Sequence, residues 1–84
     1  LQEKEISLTR TEFDILEILM KNPGQVLTRE ILTEKILGYT YDTSDRTMDV
    51  HIKNLRQKIE EDNSNPKFIL TVYGIGYKFG QTVI

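Results

Sequence analysis

An α+β domain, with three helices followed by a C-terminal β-hairpin, is the fold class that this 84-residue sequence predicts, and three observations predict it. Between residues 9 and 61 the apolar residues recur at the three- and four-residue spacing of amphipathic helices. Asn22-Pro23-Gly24, Gly38 and Asn65-Pro66 interrupt that pattern where a helix would end. From Phe68 to Phe79 the composition shifts to β-branched and aromatic residues around Gly74-Ile75-Gly76, which is a hairpin signal.

Taken in order, Ile6 and Leu8 alternate with Glu5 and Ser7, as at the end of a strand. Thr9-x-x-Glu12 has the form of a capping box and opens the first helix, which Phe13, Ile15, Leu16, Leu19 and Met20 continue as scaffold. Thr28 is placed to cap a second helix that turns Ile31, Leu32, Ile36 and Leu37 inward and ends at Gly38. A polar, aromatic connection over residues 39–45 follows, with Ser44 or Asp45 available to cap a third helix from Arg46 to about Glu61. Glu60-Glu61-Asp62 reads as the solvated end of that helix. Two strands, Phe68 to Tyr73 and Tyr77 to Phe79, then enclose the two glycines, which permit a positive φ and close backbone approach.

The third helix carries the chemistry. At roughly 100° per residue, Met48, Ile52, Leu55 and Ile59 form a narrow core stripe, while Arg46, Val50, Lys53, Asn54 and Gln57 gather on the opposite side. Arg, Lys, Asn and Gln present the donors and acceptors that match guanine or adenine edges in the major groove, and a small aliphatic group meets a thymine methyl. Val50 is the telling residue, because an ordinary solvated face has no use for it. Asp49 has two readings: it accepts from a cytosine amino group, or it pairs with Lys53 one turn on, which is the default in the free protein. His51, the only histidine, lies beside the core stripe and reads as a hydrogen-bonded packing residue.

Composition narrows the classes. The formal net charge is −2, yet it is unevenly spread. Residues 1–20 set Lys4 and Arg10 against Glu3, Glu5, Glu12, Asp14 and Glu17, whereas residues 46–58 set Arg46, Lys53, Arg56 and Lys58 against Asp49 alone. Such a dipolar chain presents one basic side to a polyanion. With no cysteine and a single histidine, thiolate metal sites and catalytic triads have no candidates, and no cofactor, metal or enzymatic activity is expected. Gly74-x-Gly76 lacks the third glycine and following helix of a dinucleotide fingerprint. The chain has no apolar run long enough for a membrane span, and, lacking an initiator Met, it reads as part of a longer protein.

The order of helix, helix, recognition helix and glycine-tipped hairpin is that of a winged helix-turn-helix. The residues Leu8-Thr9-x-x-Glu12-Phe13-x-x-Leu16, Val26-x-x-Arg29-x-x-Leu32, Arg46-Thr47-x-Asp49-Val50-His51-Ile52-x-x-Leu55-Arg56-x-Lys58 and Thr71-Val72-x-Gly74-x-Gly76-Tyr77 resemble the C-terminal effector domain of OmpR/PhoB-type response regulators. The resemblance covers nearly all of residues 1–84, with a truncated N-terminal sheet and without the receiver domain. It implies binding to promoter DNA with helix 46–61 in the major groove and wing 68–79 on the backbone or minor groove. By position it assigns Asp49, Val50, Lys53 and Asn54 to bases, and Arg46, Thr47, Arg56, Lys58, Thr71, Tyr73, Gly74 and Tyr77 to phosphates. Tyr73 stands where the family often has Arg, and Leu37 where it commonly has an aromatic residue. Further implications are contact of Tyr39, Thr40, Tyr41 and Asp42 with RNA polymerase, a receiver domain and histidine kinase acting upstream, and cytoplasmic location. The isolated domain is expected to be a monomer that forms head-to-tail dimers on direct repeats. The rival reading is a protein-interaction module whose acidic half and tyrosine-bearing loop dock a partner.

Overall fold

The computed structural model describes residues 6–38 and 47–80. Helix α1 spans Arg10–Lys21, strand β1 Leu27–Thr28, helix α2 Arg29–Leu32, helix α3 Thr47–Ile59, strand β2 Ile69–Val72 and strand β3 Gly76–Phe79. The expected capping box is present at α1: the Thr9 hydroxyl accepts from the Glu12 N–H at 3.2 Å, and the Glu12 carboxylate accepts from the Thr9 N–H at 3.0 Å. Thr28 caps α2 by accepting from the Ile31 N–H.

Four expectations about the fold need correction, the last of them at Glu60. The second helix is not uniform: after one α turn the backbone widens into a π-helical turn over Thr33–Leu37, closed by the Gly38 N–H donating to the Thr33 carbonyl five residues back. The wider turn advances each residue by less than 100°, which keeps Ile36 and Leu37 on the core side with Leu32. In α1, Phe13 and Met20 are about half exposed, and the core face is formed by Ile15 and Leu19, supported by Leu16 and Ile18. Residues 6–9 form no strand, although Leu8 still packs against the core.

The sheet is antiparallel in the order β1-β3-β2. Leu27 and Thr28 pair with Tyr77 and Gly76, and Ile69 to Val72 pair with Phe79 to Gly76. The hairpin turns through Tyr73-Gly74-Ile75, where the Ile75 N–H donates to the Val72 carbonyl and Gly74 takes φ +78°, as the third position of a type II turn requires. Gly76 has another reason: a Cβ there would lie 2.1 Å from the Leu27 carbonyl oxygen, so only glycine lets β1 close on β3. One core joins the layers, with Ile15, Leu19 and Leu32 meeting Met48, Ile52 and Leu55 of α3 and Ile69, Tyr77 and Phe79 of the hairpin.

Glu60 is buried and does not belong to a solvated helix end. Its carboxylate accepts from the backbone N–H groups of Lys67, Phe68 and Ile69 at 2.8 to 3.1 Å. One acceptor thus serves three backbone donors, which anchors the start of the wing to the end of α3.

Candidate nucleic-acid interface

Helix α3 divides as its periodicity predicts. Met48, Ile52, Leu55 and Ile59 are buried, whereas Val50, Lys53, Asn54 and Gln57 are exposed. Val50 leaves 53% of its surface to solvent although apolar side chains nearby are buried. At the tip of the wing, Tyr73 is 90% and Ile75 52% exposed. Among the described residues, Lys53, Arg56 and Lys78 form no ion pair.

Asp49 does not pair with Lys53. Its Oδ1 lies 2.7 Å from Arg29 Nε and accepts from the Tyr77 hydroxyl at 2.6 Å, because Arg29 and Tyr77 reach it from α2 and β3. Burial, together with the hydrogen bond to the Asp49 carboxylate, raises the pKa of Tyr77, and that carboxylate likewise holds Arg29 above its ordinary value. The Tyr77 ring also has both the Arg29 and Arg56 guanidinium groups within cation–π range, at 5.8 and 5.5 Å. Arg56 donates to the Ile69 carbonyl from Nε and Nη2 and to the Thr71 hydroxyl from Nη2, at 3.1, 2.8 and 2.8 Å.

Lys58 turns toward α1. Its ammonium lies 2.6 Å from the Glu12 carboxylate, with 37% of the lysine side chain exposed. Burial opposes ionisation of Glu12, but Lys58 and the Thr9 N–H and hydroxyl outweigh it and hold the carboxyl below its ordinary pKa. His51 is half-buried at the flank of the helix, and none of the side-chain hydrogen bonds among the described residues uses it. Thr47 opens α3 and is half-buried, and Gly74 sits at the exposed wing tip. Arg46 and the connection carrying Tyr39, Thr40, Tyr41 and Asp42 lie outside the described residues. Sequence reasoning gave no site role to Arg29: its partner is twenty positions away, and only its place in the second-helix motif marked it.

An exposed amide and cation row on α3, beside a hairpin that closes on the strand preceding α2, defines a winged helix-turn-helix domain. Residues 3–79 match the family model described as "Transcriptional regulatory protein, C terminal". The DNA-binding response regulator MtrA of Mycolicibacterium smegmatis is 47% identical over 79 residues, covering 94% of this chain and 35% of MtrA. Among solved structures, the response regulator DrrB of Thermotoga maritima, an OmpR/PhoB homologue, superposes with a TM-score of 0.84 at 40% identity, covering 93% of this chain and 35% of DrrB. The Klebsiella pneumoniae RstA DNA-binding domain in complex with the RstA box superposes with a TM-score of 0.83 at 36% identity, covering 93% of this chain and 77% of that domain. The chain belongs to this family of transcriptional regulatory C-terminal domains, which are regulators and not enzymes. It spans about a third of the length of MtrA. Among the described residues no helix is long and apolar enough to cross a membrane.

Proposed function

We propose that this chain binds double-stranded promoter DNA sequence-specifically, as the output domain of a two-component response regulator. The observation that carries the reading is the exposed row Val50, Lys53, Asn54 and Gln57 opposite a buried stripe on the same helix. In this reading α3 enters the major groove, with Val50, Lys53 and Asn54 facing base edges. Arg46, Thr47, Arg56, Thr71 and the wing around Tyr73, Gly74 and the Tyr77 backbone hold phosphates and set the register. The Lys58 ammonium and the Tyr77 hydroxyl are engaged within the domain, so their share of phosphate contact is small. The complex of the RstA domain with its box supports the same docking here.

We extend the proposal to the longer protein. A receiver domain, controlled by a histidine kinase, would pair two effector domains head to tail on direct repeats in the cytoplasm, while the isolated domain is monomeric. The connection at residues 39–45 would meet RNA polymerase. Fluorescence anisotropy tests the core of the proposal. A duplex selected from a random pool should bind far more tightly than its scrambled counterpart, with affinity falling steeply as salt rises. Failure to bind either duplex would overturn the reading in favour of a protein-interaction module.

A further inference from the structure

Asp49 precedes Val50 on the recognition helix, yet its carboxylate is directed at the body of the domain. One oxygen, Oδ1, receives both the Arg29 Nε–H and the Tyr77 hydroxyl. From Tyr77 the network continues: Arg56 lies over its ring and grips Ile69 and Thr71 in β2. The wing is therefore tied to α3 at two points, Asp49 and Arg56, which are two helical turns or roughly 10 Å apart along the axis. One tie would leave a pivot. Two fix both the distance and the angle between helix and hairpin, and Arg29 adds α2 to the same frame.

We infer that Asp49 is a positioning residue: with Arg29 and the Tyr77 hydroxyl it sets the angle between α3 and the wing, so that the two engage a duplex as one rigid unit. This rests on the reading that helix and wing bind DNA. A direct base contact by Asp49 would compete for the carboxylate that already holds Arg29 in a charge-assisted bond and accepts from the hydroxyl of a buried tyrosine. Burial and the hydrogen bond to Asp49 together raise the pKa of Tyr77, in keeping with this placement.

The test uses the 84-residue chain and the variants Asp49→Ala, Tyr77→Phe and their double, each measured on the selected duplex and on every single-base substitution of it. Each single variant should lose about tenfold in affinity, the double should lose little more, and the order of base preference should stay unchanged at every position. Loss of discrimination at one base pair in Asp49→Ala, with Tyr77→Phe binding like the parent, would make Asp49 a base reader and overturn the inference. Strictly additive losses would overturn it as well. Two measurements without DNA separate this result from failure of the DNA-binding reading itself. In Asp49→Ala, amide exchange at residues 71–77 should quicken relative to α1, and the Tyr77 ring, followed by carbon-13 NMR, should titrate at lower pH. An unchanged wing and an unchanged tyrosine would sink the proposal whether or not DNA binds.

Discussion

Lys58 and Glu12 join the recognition helix to the first helix through a 2.6 Å contact between an ammonium that is partly solvated and a carboxylate whose residue is only 3% exposed. Forty-six positions separate them. The same carboxylate closes the capping box of α1, so one side chain both starts a helix and docks it.

A pH dependence follows from this pair. Because folding holds the Glu12 pKa below its ordinary value of 4.5, its stabilising contribution is complete above that value and is lost as pH falls through the folded-state pKa. Lys58→Met removes the charge and keeps an apolar stem. Allowing for solvent screening of the lysine, it should cost roughly 1–2 kcal/mol at pH 7. The gap to the parent should close toward pH 3, since burial then favours the protonated glutamic acid. Urea unfolding at both pH values measures it, and a constant gap would contradict the assignment.

Glu60→Ala should be the more damaging carboxylate substitution. It leaves the N–H groups of Lys67, Phe68 and Ile69 without their acceptor where the chain enters β2. The expected cost is roughly 2–4 kcal/mol, with the first protection lost at the wing amides in hydrogen exchange. A near-neutral effect would mean that water replaces the carboxylate freely.

The two wing glycines should respond differently to alanine. Gly76→Ala drives a methyl into the Leu27 carbonyl and must part β1 from β3, costing about 3 kcal/mol. Gly74→Ala meets no neighbour within 4 Å and pays only for its positive φ, about 1 kcal/mol. Thermal unfolding of the pair should preserve this order.

Arg56→Ala should weaken binding to all duplexes by a similar factor, because its guanidinium grips Ile69 and Thr71 and any remaining donors face phosphates, which carry no sequence information. A change in base preference confined to one position would contradict that role.

What the chain discloses by inspection is what is local in it. Thr9 with Glu12, and Thr28 with Ile31, lie three residues apart, and the Met48, Ile52, Leu55 and Ile59 stripe repeats within a few turns, so spacing alone locates them. Strand β1, two residues long, is too short to show an alternation, and the π turn keeps helical composition while changing its period. The partners of Asp49, Lys58 and Glu60 are set by tertiary packing. Lys53 at the ideal i+4 distance loses Asp49 to Arg29, because the hairpin brings Tyr77 to the same oxygen. Glu60 stands beside the exposed Glu61 and Asp62, and nothing nearby in sequence distinguishes it from them or shows that residues 67–69 bring their N–H groups back to it.

The most direct measurement is selection from a random duplex pool by the parent chain and by Asn54→Ala, sequenced in parallel. The exposed row on α3 predicts a defined motif for the parent and, for the variant, the same motif with preference relaxed at about one position, at a cost of roughly 1–3 kcal/mol against the preferred base. Identical motifs from the two proteins, or no enrichment by the parent, would contradict groove reading by this helix.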